Sequence, residues 1–186
     1  MSLGLSIATS APAESDEQLA QRAAGGDEKA FQELFERKAP GVFTLAYRMV
    51  GNRADAEDVM QDAFLAFFKD LGRYRGESRI ATWLYQIVLS RAINLRKKRG
   101  AYNARLSRFA EGTRGRDAAS LDTRVQEALD ALSERDRSLA VLRYFVGLSY
   151  EDLAQVGGFP LGTVKSRMFR VHQELRKHLS GEEVRS

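Results

Sequence analysis

Cysteine is absent from the 186-residue sequence. That excludes a disulfide framework, a thiol nucleophile and every cysteine-based zinc site. Histidine is nearly absent: His172 and His178 are the only two, too few for an ordinary histidine metal site. No apolar run approaches the ~18 residues of a membrane span. Residues 1–14 carry neither a basic leader segment nor a long apolar stretch, so they are expected to be a flexible tail and not a signal peptide. These absences point to a cytoplasmic protein with no membrane insertion. Strand-like alternation is also rare. No nucleophile–base pair, phosphate loop or metal cluster stands out, so an enzyme is a distant reading and no cofactor is expected.

What is present is helical. Hydrophobic residues make up 44% of the chain, enough for a real core. Ser15 with Gln18 forms a capping-box pattern at the start of a short helix. A second helix is expected from Asp27 to Gly51, with Pro40 kinking or breaking it. A third starts near Asn52 and stops at Gly72; its core stripe is Val59, Met60, Ala63, Phe64, Phe67, Phe68 and Leu71. A fourth runs from about Ser78 and ends in Arg96-Lys97-Lys98-Arg99 before Gly100, where cations suit a helix C-terminus. Between residues 100 and 120 the apolar period disappears, and Gly, Ala, Arg and Ser dominate. Beyond it Asp122, Ser133 and Ser149 can each cap a further helix. The expectation is an all-α fold of two small helical domains, residues 15–99 and 121–180, joined by a flexible linker at 100–120, with residues 181–186 as a tail.

Charge is unevenly spread. The net formal charge is only +4. Yet residues 52–71 hold five acids against two bases, residues 72–102 eight bases against one acid, and residues 160–179 five bases against one acid. Separated basic zones suggest phosphate backbones, although any single cluster alone is better read as an ordinary solvated face.

The last two helices carry the sharpest signal. A short helix capped by Ser149, a Gly157-Gly158-Phe159 turn and a longer basic helix opened by Pro160 make a helix-turn-helix. The stripe Val164, Met168, Val171, Leu175 and Leu179 fixes the core side of the second helix. The opposite side then shows Ser166, Phe169, Arg170 and Gln173, with Lys165 and Arg167 near its edges. An exposed Phe169 among bases suits a thymine methyl, and Lys165 and Arg170 can reach guanine edges or phosphates. Backbone amides near Gly162 and Thr163 can hold a phosphate. An αα-hairpin packed on another protein is the competing reading.

Three runs then resemble one family. Leu148-Ser-Tyr-Glu-Asp-Leu-Ala followed by Pro160-Leu-Gly-Thr-Val-Lys-Ser-Arg is similar to the −35-binding segment of bacterial sigma factors. Asp55-Ala-Glu-Asp-Val-Met-Gln-Asp-Ala-Phe resembles their core-polymerase-binding helix, and Thr82-Trp-Leu-Tyr-Gln-Ile the helix after it. The group most resembled is the extracytoplasmic-function (ECF) branch of the sigma-70 family, over roughly residues 16–180. The resemblance implies a promoter-specificity subunit of RNA polymerase. Asp55, Asp58, Gln61, Asp62 and Leu65 would meet the β′ clamp, and the β subunit of core polymerase is a further implied partner. Arg73, Tyr74, Arg75, Arg79, Tyr85, Ser90, Asn94 and Lys97 would handle the opened −10 strand. Thr163, Lys165, Ser166, Arg167, Phe169, Arg170 and Gln173 would read the −35 duplex. Ser90 stands where many members carry an asparagine at the pocket for a flipped base, and Asn94 lies one turn on. Trp83 fits the core better than a base platform. An anti-sigma factor is the implied regulator.

A self-sufficient regulator whose N-terminal domain senses a ligand or dimerises is the rival. A gel shift separates the two. The sigma-like reading predicts poor promoter binding by the free protein, and tight specific binding without polymerase contradicts it.

Overall fold

The computed structural model describes residues 14–74, 79–106 and 121–180. Among these the fold is all-α, with no strand. The N-terminal group consists of α1 (Asp16–Ala24), α2 (Glu28–Val50), α3 (Arg53–Asp70) and α4 (Ile80–Leu106), with a single 3₁₀ turn at Leu71–Arg73. The C-terminal group consists of α5 (Leu121–Ala131), α6 (Glu134–Tyr144), α7 (Tyr150–Gly157) and α8 (Leu161–Ser180).

Local chemistry sets most of the helix ends. The Ser15 hydroxyl accepts from Gln18 N–H while the Gln18 side chain accepts from Ser15 N–H, closing the expected capping box. Asp27 caps α2 and Asn52 caps α3. Gly51, between them, takes φ 81°, a left-handed conformation that ends α2 at little cost only for glycine. Ser133 caps α6, and Ser149 with Asp152 closes a second capping box on α7.

Two expected helix ends are absent. Pro40, expected to kink or break α2, does not break it: the helix runs from Glu28 to Val50. Proline removes the hydrogen bond to the carbonyl of Glu36, but both residues are exposed, so water can take that carbonyl. Gly100 does not end α4, which continues to Leu106. A glycine costs only about 1 kcal/mol in a helix, and the turns before it are tied down: Arg96 donates to Met49 O (2.8 Å) and Arg99 pairs with Asp55. The first seven residues of the expected linker are therefore helical. Residues 107–120 and the tails 1–13 and 181–186 lie outside the described residues.

In the N-terminal group α2 packs on α1, α3 and α4, and α3 packs on α4. Leu34, Leu45 and Met49 of α2 meet Phe64 and Phe67 of α3 and Leu84 and Val88 of α4 in the core, all buried. Each such side chain contributes roughly 1.5–3 kcal/mol on burial. Gly41 lets α4 approach: a Cβ there would stand 2.9 Å from the Tyr85 hydroxyl. The C-terminal group is built on Leu129, Leu139, Leu142, Leu153, Val164 and Met168. The groups touch through α2 with α6 and α4 with α7, and their buried apolar residues form one continuous cluster.

Arg137 is the least expected core residue, at 1% exposure. Its guanidinium donates to Leu129 O (2.7 Å), Asp130 O (2.7 Å) and Leu132 O (3.3 Å). It thereby satisfies the orphan carbonyls at the C-terminal end of α5 from α6. Burial pulls its pKa below the ordinary arginine value. Arg137→Ala should cost about 3 kcal/mol, since three carbonyl acceptors, two of them buried, lose their donor. Urea unfolding should show a lower midpoint with an unchanged m-value.

Candidate nucleic-acid and partner interfaces

The turn of the helix-turn-helix is fixed by close contacts. Gly158, at φ 65°, ends α7 in the left-handed region. A Cβ on Gly157 would stand 2.6 Å from the Phe159 ring, so that ring folds back onto bare backbone. Arg135 and Arg167 place their guanidinium carbons 6.0 and 5.3 Å from the ring centre. Pro160 sits one residue ahead of its expected place: its carbonyl accepts from Thr163 and Val164 N–H, which makes it the N-cap of α8.

Val164, Met168 and Val171 are buried, so the other side of α8 faces outward. Lys165, Ser166, Phe169, Arg170 and Gln173 are all exposed there, Phe169 at 67%. Lys165 and Arg170 have no ion-pair partner among the described residues, whereas Lys177 pairs with Glu174. Ser166 turns its hydroxyl back to Thr163 O (3.0 Å), and Thr163 is half-buried. Arg167 stands apart. Its Nη1 donates to Asp136 Oδ1 (2.8 Å), and it is half-buried against Phe159, so it braces the turn. As expected, Leu175 continues the core stripe, half-buried against it; Leu179 does not, being 37% exposed near the end of α8.

On α3, Asp58, Gln61, Asp62 and Leu65 share an exposed face, with Leu65 at 69%. Asp55 does not join them. It is 5% exposed; its carboxylate pairs with Arg99 and accepts from Asn52 Nδ2 (2.8 Å), while its N–H donates to Asn52 Oδ1 (3.0 Å). The reason is its phase: it shares the buried side of α3 with Ala56 and Val59. Phe68 departs the other way. It was expected in the core, yet it is 50% exposed: Phe64, Phe67 and Leu71 set the inward side of α3, and Phe68 falls about a further 100° round the helix, at the edge of that side. Its ring lies edge-on to Phe31 at 4.5 Å. Leu65 and Phe68, one turn apart, thus give the acidic face an apolar centre.

Between α3 and α4 runs an open groove of about 560 Å³, with Asp58, Gln61 and Asp62 on one wall and Arg91, Asn94, Lys97 and Lys98 on the other. Through Arg91 and Asn94 it continues into a second hollow of about 340 Å³ that also holds Ala66, Asp70, Trp83, Ile87 and Ser90. The structure therefore brings Ser90, Asn94 and Lys97 together, beside the acidic face. Trp83 fits the expected structural role. It stacks on Tyr74 (5.7 Å, 13° between planes) and leans on Phe67 (5.1 Å). Arg73 is exposed and 3.4 Å from Asp70, and Arg79 is exposed and 3.4 Å from Asp152. Arg75 lies outside the described residues.

Tyr85 is the clear correction. It was expected on the strand-binding surface, but it is 7% exposed and packs over Gly41. It shares the inward side of α4 with Leu84, Val88 and Leu89. Burial, and secondarily the charge of Asp16, push its phenol above the ordinary tyrosine value.

Residues 34–102 match the family model for Sigma-70 region 2, and residues 122–175 match that for Sigma-70, region 4. The chain is 35% identical over 182 residues to the RNA polymerase sigma-H factor of Pseudomonas aeruginosa, spanning 89% of this chain and 94% of that protein. It is 33% identical over 180 residues to the ECF RNA polymerase sigma-E factor of Haemophilus influenzae, spanning 88% and 95%. Among solved structures it resembles CnrH in complex with the cytosolic domain of CnrY, with a TM-score of 0.73, 28% identity and 91% and 100% coverage. It also resembles the sigma factor RpoE in complex with the anti-sigma factor NepR from Bartonella quintana, with a TM-score of 0.68, 25% identity and 83% and 99% coverage.

The buried phenol makes a pH prediction. A raised folded-state pKa means that Tyr85 stabilises the fold fully below pH ~10, and that this contribution is lost as pH rises through the raised value. Urea stability should therefore fall more steeply above pH ~10 in the wild type than in Tyr85→Phe. Parallel curves would place the phenol in solvent.

Proposed function

The chain belongs to the sigma-70 family of RNA polymerase sigma factors, in its ECF group, and from that premise we propose that its two halves divide promoter recognition between them. As a sigma factor it directs core RNA polymerase to specific promoters for transcription initiation. No helix among the described residues is long and apolar enough to cross a membrane. We read the protein as a cytoplasmic, non-catalytic specificity subunit.

The C-terminal half, from about residue 121 to 180, reads the −35 element as duplex. The observation that carries this is the outward face of α8. There an exposed Phe169 lies among Lys165, Ser166, Arg170 and Gln173, on the second helix of a helix-turn-helix. Phe169 meets a thymine methyl, while Lys165 and Arg170 take base edges or phosphates. Arg167 supports this face through Asp136 and Phe159.

The N-terminal half, from about residue 15 through α4, holds polymerase and the opened −10 strand. Asp58, Gln61, Asp62 and Leu65, joined by Phe68, dock on the β′ clamp: an apolar centre with a charged rim is the usual interface plan. Ser90, Asn94 and Lys97 line the groove that takes the unstacked strand, with Arg73, Tyr74 and Arg79 near its mouth. Because Ser90 is short, its end of the groove admits a base more deeply than an asparagine would. Two weak DNA sites held on one polymerase combine through effective concentration. An anti-sigma factor that covers either face therefore blocks the whole activity. The likeness to the sigma factor RpoE solved in complex with the anti-sigma factor NepR supports that reading.

Separable defects are the test. Phe169→Ala and Arg170→Ala should each lower −35-dependent run-off transcription about 10- to 100-fold, in line with ~1–3 kcal/mol per base contact, and leave binding to core polymerase intact. Asp62→Arg and Leu65→Ala should lose core binding instead. If all four variants lost only folding stability, the assignment of faces would be wrong.

A further inference from the structure

The match to Sigma-70 region 2 begins at residue 34, so α1 lies outside it. Yet α1 is firmly held. Leu19, Ala20 and Ala23 are buried. Asp16 pairs with Arg37 (3.5 Å) and with Lys38 of α2, and Arg37 Nη1 also donates to Glu14 O (2.7 Å). Glu17, the next residue, stands about 100° further round the helix and meets another neighbour. It is half-buried, and its Oε1 accepts from the Ile80 N–H (3.4 Å), the first helical amide of α4.

The first amides of a helix have no partners within it. A carboxylate placed there accepts from one and sits at the positive end of the helix dipole. The same charge also reaches a second group. Burial, and secondarily Glu17, push the Tyr74 phenol above the ordinary tyrosine value. Tyr74 stacks on Trp83 of α4, and the 3₁₀ turn Leu71–Arg73 just before it packs on α1. Glu17 therefore meets the chain both at Tyr74 and at Ile80. The groups assigned to the mouth of the strand groove, Arg73, Tyr74 and Arg79, are these residues or their immediate neighbours.

We propose that Glu17 is a positioning residue for the −10 strand: from α1 it holds the first turn of α4 beside Tyr74, and so sets where Arg73, Tyr74 and Arg79 stand, without touching DNA. A carboxylate repels phosphate, so its part is to fix the groups that attract it. The tie between α1 and α4 is independent of the reading under Proposed function; its consequence for the −10 strand rests on that reading. A capping contact of this kind shifts a local equilibrium by about fivefold, and strand capture should change by a similar factor. Because the effect is exerted on the polymerase-bound chain, it leaves the dependence on polymerase untouched.

Two variants of the full chain test this. Glu17→Ala removes both the acceptor and the charge, whereas Glu17→Gln keeps an acceptor oxygen. Amide hydrogen exchange at Ile80 should speed up about fivefold in Glu17→Ala and less in Glu17→Gln. With core RNA polymerase and a promoter library, Glu17→Ala should relax the preferred −10 sequence and lower −10-dependent run-off transcription by about fivefold. Its −35 preference and its binding to core polymerase should match the wild type, and Glu17→Gln should recover most of the loss. Unchanged Ile80 exchange would overturn the tie. An unchanged −10 preference would overturn the positioning role. So would equal losses at −10, at −35 and in core binding, because a merely destabilised fold weakens every function alike. If the wild type itself selected no shared −10 element, the reading under Proposed function would fall and the −10 role with it, while Ile80 exchange would still decide the tie.

Discussion

The packing of α4 against its neighbours is the constraint on which the rest of the molecule depends. This helix touches α1, α2 and α3 on one side and α7 on the other. Gly41 lets it come close enough for Tyr85 to be buried, and Asp55 with Asn52 anchors its basic end through Arg99. Once those contacts are made, the faces left over are determined. Ser90, Asn94 and Lys97 can only look into the groove beside α3.

Charge is distributed on that frame with a consistent sense. Carboxylates collect on the outer face of α3 and on the side of the C-terminal group that meets the N-terminal one, while guanidinium and ammonium groups collect on α4 and α8. The acidic face of α3 and the basic wall of α4 oppose each other across one groove. A protein partner and a nucleic-acid strand could therefore bind side by side and share an edge. In a sigma factor that adjacency matters, because the strand is to be held only when polymerase is present.

The sequence made the helix-turn-helix readable because several local signals coincide within about thirty residues. Ser149 caps α7, Gly158 turns the chain, Pro160 opens α8, and a clean apolar stripe fixes the facing of Phe169. Each of these acts over one or two turns of helix. The misplaced residues depend instead on tertiary partners. Tyr85 looked like a surface aromatic because α4 is covered on several sides and its apolar residues form no single stripe. Asp55 looked like one more exposed acid until Arg99, 44 residues away, took its carboxylate. Phe68 could be separated from Phe67 only once the rotation of α3 was set. Arg137 gave no sequence signal, since its partners are backbone carbonyls. The contacts between the two helix groups were illegible for the same reason: they join residues that can be 78 positions apart.

Family membership makes the chain a promoter-specificity subunit, and from the placement of its faces we propose a two-site reader that depends on polymerase. Run-off transcription by core RNA polymerase from a promoter library, with and without this protein, tests that claim most directly. The account predicts defined transcripts that require both components, from templates sharing two separated sequence elements. No stimulation over core polymerase alone, or start sites that share only one element, would contradict it.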